Sequence, residues 1–110
     1  MRIEYSPEFD RRLYAYSQYI RNELKSPDTS VISVNRILDQ CSLLALMPMM
    51  GIGIQTEGGM DTGMRMLIMG DHVALYRVTG DYVDIVNLLD TRTKEFIDVL
   101  NEIRQEAMNR

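Results

Sequence analysis

The 110-residue sequence has one cysteine, no tryptophan, two phenylalanines and three prolines, and its only lysines are Lys25 and Lys94. A single cysteine, Cys41, excludes an internal disulfide, and no Cys or His partner stands at a spacing that would complete a zinc site. It falls in an apolar helical stretch and is expected as core filler rather than as a nucleophile. No apolar run approaches the roughly 20 residues that cross a bilayer. The first ten residues carry Arg2, Glu4, Glu8 and Asp10, so they lack the apolar centre of a secretion signal. These absences lead to the expectation of a soluble, cytoplasmic protein with no cofactor and no bound metal.

The net charge of −4 argues against broad, salt-sensitive binding of nucleic acid by the whole surface. Because the basic residues are nearly all arginine, local bidentate recognition of a carboxylate or a phosphate stays open, and an acidic peptide would serve as well as nucleic acid. With 45% hydrophobic residues, the chain can bury one core and is too short for two comfortable domains, so one domain over residues 1–110 is expected.

Met1 to Tyr5 alternates and reads as a short strand. Ser6-Pro7 then supplies an N-cap and a first helical residue. Phe9, Leu13, Tyr16, Ile20 and Leu24 recur every three or four positions, which predicts a helix with one apolar face. Lys25-Ser-Pro-Asp28 breaks it, and Asp28 or Ser30 can cap a second helix carrying Val31, Val34, Ile37, Leu38, Cys41, Leu44 and Ala45. Pro48 closes that helix.

Met49 to Gly63 holds five glycines and no long periodic element, which predicts an irregular or mobile connection. Strands are predicted over Arg65 to Met69, Val73 to Val78 and Tyr82 to Leu89, separated by Gly70-Asp71 and Thr79-Gly80-Asp81 as hairpin turns. From Thr91 to Met108, Phe96, Val99, Leu100 and Ile103 predict a terminal helix, occupying about residues 93–110. The order is α+β: a strand, a two-helix hairpin packed on a small antiparallel sheet with a three-stranded meander, and a C-terminal helix.

That order resembles the RelE/ParE toxin superfamily, and several motifs agree with it. Tyr5-Ser-Pro-Glu-Phe9 resembles the family's strand-to-helix start, and Tyr19-Ile-Arg-Asn-Glu-Leu24 before Ser26-Pro-Asp28 resembles a first-helix ending. Met47-Pro-Met-Met-Gly51 resembles the proline-to-glycine signature after the second helix. Gly63-Met-Arg65, Ala74-Leu-Tyr-Arg-Val78, Val83-Asp-Ile85 and Asp90-Thr-Arg92 resemble its strand pattern, in which an arginine opens one strand, a tyrosine sits on the next and an arginine follows the last. The resemblance covers about residues 1–92. It implies the toxin of a bacterial type II toxin-antitoxin pair, with an antitoxin as partner that lays an apolar face on the hairpin or adds a strand to a sheet edge. Leu13, Tyr16, Met49 and Met50 are the expected antitoxin contacts. DNA is expected to be bound only indirectly, through the antitoxin complex.

Members of the superfamily either cleave messenger RNA on the ribosome or inhibit DNA gyrase, and fold does not choose between these. RNA cleavage requires an activated ribose hydroxyl, a protonated leaving oxygen and cations on the crowded phosphate. In the RNA-cleaving members, lysines on the first meander strand, an early arginine on the second, and a late arginine and tyrosine resemble that set. Here Met64, Met66 and Val73 stand at the lysine and early arginine positions, no tyrosine follows Tyr82, and only Arg92 remains. The reading therefore leans to the ParE-like, non-nuclease branch, with Arg65, Arg77 and Arg92 as target contacts and gyrase as target. The alternatives are a ribosome-dependent endoribonuclease rearranged around Arg65, Arg77, Arg92 and His72, and a degenerate toxin that only binds antitoxin.

Ordinary structural roles compete for each candidate. His72 beside a Gly-Asp turn reads first as a solvated turn residue. Arg77 alternates with Tyr76, so the two face opposite sides of the sheet. Tyr14, Tyr16 and Tyr19 at helical spacing read first as packing and second as a stacking platform for bases. Met64, Met66 and Met69 read as core, whereas Met47, Met49, Met50 and Met60 suit an adaptable interface.

Overall fold

A computed structural model describes all residues 1–110. The elements are β1 (Arg2–Tyr5), α1 (Pro7–Asn22), α2 (Pro27–Ser42), a one-turn 3₁₀ helix (Leu43–Ala45), β2 (Ile52–Gln55), β3 (Asp61–Met69), β4 (His72–Thr79), β5 (Tyr82–Asp90) and α3 (Lys94–Met108). They assemble a five-stranded sheet in the order β1-β5-β4-β3-β2. β1 runs parallel to β5, and the remaining pairs are antiparallel.

Ser6 joins strand to helix through three bonds. Its backbone N–H donates to the Ile85 carbonyl at 2.9 Å, its hydroxyl donates to the Val86 carbonyl at 2.7 Å, and the same oxygen accepts from the Phe9 amide at 3.0 Å. The Val86 carbonyl lies at a register shift in the β4–β5 ladder, where Leu75 pairs Asn87 but Tyr76 pairs Ile85. An extra residue of this kind leaves backbone groups outside the ladder, and Ser6 fills the vacancy while capping α1.

The sheet separates two apolar clusters. On one face, Phe9 and Leu13 of α1 and Ile37 and Cys41 of α2 pack against Leu67, Ala74, Tyr76 and Ile85. On the other, Phe96, Val99, Leu100 and Ile103 of α3 cover Val73, Leu75 and Leu89, with Met64 and Met66 partly buried beside them. A side chain as large as Phe9, fully buried, contributes on the order of 2 to 3 kcal/mol. Cys41 is fully buried, and burial pushes its thiol up to about 12, so it is an inert part of the core.

Three expectations are corrected. The connection from Met49 to Gly63 is ordered: β2 pairs with β3, and the turn between them is closed by Thr56, whose amide donates to Met60 at 2.9 Å and whose hydroxyl accepts from the Met60 amide at 3.1 Å. With only four residues among many glycines, this strand is too short for a periodicity reading. The sheet is also mixed rather than purely antiparallel, and α3 lies on the face opposite the hairpin, because apolar residues alternate to both sides of β3, β4 and β5. Finally, Leu13 belongs to the buried cluster beneath α1. Its side chain faces the sheet, leaving Tyr14 and Tyr19 as the exposed apolar groups of that helix.

Candidate functional site

The residues that carry the family-like pattern converge first on a structural lock. The second helix ends at Ser42, earlier than the expected stop at Pro48, and after the 3₁₀ turn the chain passes Pro48 and turns through Met49 to Gly51 back toward the sheet. Tyr76, fully buried in β4, donates its hydroxyl to the Pro48 carbonyl at 2.8 Å and accepts the Gly51 amide at 2.9 Å. Arg65 stands opposite Tyr76 in the β3–β4 register. One end of its guanidinium, Nη2, donates to the carbonyls of Met49 at 3.0 Å and Gly51 at 2.6 Å. A Cβ on Gly51 would lie 2.6 Å from both the Met66 carbonyl oxygen and the Tyr76 hydroxyl, so only glycine fits between strand and loop.

Arg77 is on the opposite face. Its Nε donates to the Asp84 carboxylate across the β4–β5 ladder at 3.1 Å, and it borders a cavity of about 240 Å³ with Val99 and Ile103 of α3. Arg92 is elsewhere again, past the end of β5, held bidentately by Asp90 at 3.1 and 2.8 Å and approached by Asp71 at 3.5 Å. From Arg77 back to His72, at the end of β4 near Arg92, the strand covers roughly 16 Å at ~3.3 Å per residue. Arg65, Arg77 and Arg92 therefore do not share a site: one holds a loop, one pairs on the α3 face, and one closes the β3–β4 end of the sheet.

What does assemble is a cleft on the hairpin face around His72. Gly70, with φ +67°, lets the chain reverse tightly between β3 and β4, bringing His72 under α1. The imidazole packs against Tyr16 in a tilted arrangement, with ring centroids 4.4 Å apart and planes at 54°. Burial pushes the His72 pKa below its ordinary value, opposed by the nearby Asp90 carboxylate, so the ring is neutral at pH 7. The bonds from Arg92 hold Asp90 down at about 2 and raise Arg92 itself.

Two hollows flank the Tyr16–His72 pair. One, of about 230 Å³, lies between α2 and the β3–β4 turn and is bordered by Ser33, Arg36, Gln40, Asp71 and Arg92. The other, of about 430 Å³, lies toward α1 and is bordered by Arg11, Arg12, Tyr19, Leu88 and Asp90. Tyr16, His72 and Arg92 border both. Arg12 is paired with Glu95 at the start of α3 and with Glu8, whose carboxyl is lowered to about 2 by its bonds from Arg11 and Arg12. Arg36, by contrast, makes no ion pair.

Of the sequence candidates, His72, Arg92 and Tyr16 are brought together, whereas Arg65, Arg77 and Leu13 are not. Met49 and Met50 sit exposed at the loop that Tyr76 and Arg65 hold, next to exposed Leu46, Met47 and Ile52. Ser33, Arg36 and Gln40 were not singled out from sequence. Their spacing of three and four on the polar side of α2 was the available signal, since such residues share a helix face.

A family model described as the ParE toxin of type II toxin-antitoxin systems, parDE, matches residues 3–95. A solved structure described as the chromosomal ParDE TA system from P. aeruginosa is similar at 21% identity, covering 84% of this chain and 97% of that one with a TM-score of 0.70. No curated protein matches the sequence. The fold is that of the RelE/ParE toxin superfamily. Within it, the chain belongs to the ParE toxin family of type II toxin-antitoxin systems.

Proposed function

We propose that this chain arrests bacterial growth by binding DNA gyrase in the cytoplasm, and that a cognate antitoxin neutralises it. The observation that carries the binding reading over RNA cleavage is the separation of Arg65, Arg77 and Arg92, the three arginines that the rearranged endoribonuclease would need at one phosphate. A phosphorane needs several cations around one phosphorus, but Arg65 is engaged by the carbonyls of Met49 and Gly51 and Arg77 by Asp84 on the other face. On β3, Arg65 is flanked by Met64 and Met66, which cannot stabilise that charge. Arg92, paired with Asp90 but exposed at the surface, remains as the contact for a target, and Tyr16, Met49 and Met50 as antitoxin contacts. The methionines suit this because flexible thioethers adapt to an apolar partner surface.

Induced expression of the chain, alone and together with the small open reading frame adjoining its gene, tests this reading. Arrest with chromosomal breaks, relieved by the neighbour, is expected. Arrest with cleaved messenger RNA and intact DNA would replace it by the endoribonuclease reading. Unchanged growth with folded protein present would leave a degenerate binder.

A further inference from the structure

The two hollows around Tyr16 and His72 differ in chemistry and share a wall. In the smaller one, the side chains of Ser33, Arg36, Gln40 and His72 face a single space of about 230 Å³, and none of the four has a hydrogen-bond or ion-pair partner within the chain. Arg36 brings a guanidinium uncompensated by any carboxylate, while Arg92, already paired with Asp90 and approached by Asp71, adds a donor edge without net charge. A tetrahedral oxyanion suits such a group: a guanidinium takes two of its oxygens, and the amide and hydroxyl can donate to the others.

The larger hollow, about 430 Å³, offers rings and apolar surface instead. Tyr19 is more than half exposed, and Tyr16, Ala15 and Leu88 continue the same wall. A planar aromatic base finds a stacking face there. Asp71, at the turn that borders the smaller hollow, presents a carboxylate that accepts hydrogen bonds, which explains an acid in an otherwise donor-rich space if the ligand also carries hydroxyls.

An anion, hydroxyls and a flat ring in that sequence describe one ligand class. We propose that the Tyr16–His72 cleft binds a nucleoside monophosphate, with Arg36 and Gln40 on the phosphate, Asp71 on the ribose and Tyr19 against the base. A free nucleotide is favoured over a strand because the chain's net charge is −4 and Arg11 and Arg12 at the outer rim are neutralised by Glu8 and Glu95, leaving no track for successive phosphates.

The test is titration of the folded chain, followed by calorimetry and by NMR shifts, with adenosine 5′-monophosphate, adenosine, inorganic phosphate and a ten-residue oligoadenylate. The monophosphate is expected to bind with Kd of about 0.1 mM, and adenosine about tenfold more weakly. Its shifts are expected to centre on Tyr16, Tyr19 and His72. Arg36→Ala, at an exposed position with no partner to lose, should weaken the monophosphate about tenfold and leave adenosine unchanged. Tyr19→Ala should weaken both adenosine and its monophosphate and spare inorganic phosphate. Absence of shifts at about 10 mM monophosphate, unchanged binding by Arg36→Ala, or oligoadenylate binding more than about tenfold tighter than the monophosphate would each overturn the proposal.

Discussion

Alanine at position 51 is expected to destabilise the protein by about 3 kcal/mol, near the upper end of what overpacking costs. The added methyl would meet the Met66 carbonyl oxygen at 2.6 Å and the Tyr76 ring carbon Cε1 at 2.7 Å. One neighbour is backbone in the middle of a paired strand, and the other is a fully buried ring, so neither yields by rotating a flexible end. Relief comes only by moving the loop off the sheet, which breaks the bonds from Tyr76 to Pro48 and Gly51. For a chain of this size the change corresponds to a melting temperature lower by about 12 to 20 °C. Thermal unfolding followed by circular dichroism measures it. A variant melting within a few degrees of wild type would show that loop and strand are not held together as described.

The second large effect concerns Arg65, and it separates holding a loop from touching a target. Arg65→Ala is expected to cost about 2 to 3 kcal/mol, because two carbonyls lose a charged donor and the Met49–Gly51 turn loses its tie to β3. Arg92→Ala removes an exposed side chain whose partners, Asp90 and Asp71, can return to water, and surface ion pairs of this kind contribute little. Its stability should stay close to that of wild type. Both substitutions are expected to abolish toxicity, Arg65→Ala by lowering the amount of folded protein and Arg92→Ala with the fold intact. Urea denaturation beside a growth assay distinguishes them. An Arg65→Ala protein as stable as wild type, yet non-toxic, would move Arg65 from the loop to the target surface.

The same residues show what the sequence made legible. Periodicity located α1, α2 and α3 because each buries one stripe of apolar side chains, and Gly70-Asp71 and Gly80-Asp81 marked the hairpins because tight reversal needs residues that tolerate positive φ. β2 was invisible: it is only four residues long in a glycine-rich stretch, its register with β3 shifts between Gly53 and Gln55, and that pairing depends on contacts made after the chain has folded back. The motif residues Pro48, Gly51, Arg65 and Tyr76 were recognisable as a set, but their common purpose was not. It rests on the register that sets Arg65 opposite Tyr76, which no local spacing encodes. Tyr16 read as packing, correctly, whereas His72 read as a solvated turn residue and is instead the first residue of β4, half-buried against Tyr16; that the two rings meet is a product of the tertiary fold.

Arg77 illustrates the limit from the other side. The alternation rule placed it opposite Tyr76, and the structure puts it against α3 with Asp84 as partner. A reading that gathers Arg65, Arg77 and Arg92 by their charge alone brings together groups that the sheet holds apart.

The binding account is tested most directly by purified gyrase supercoiling relaxed plasmid in the presence of increasing amounts of this chain. The account predicts dose-dependent loss of supercoiling, reversed by the protein encoded beside its gene and absent with Arg92→Ala. Full supercoiling activity at a large molar excess of folded wild-type chain would contradict it.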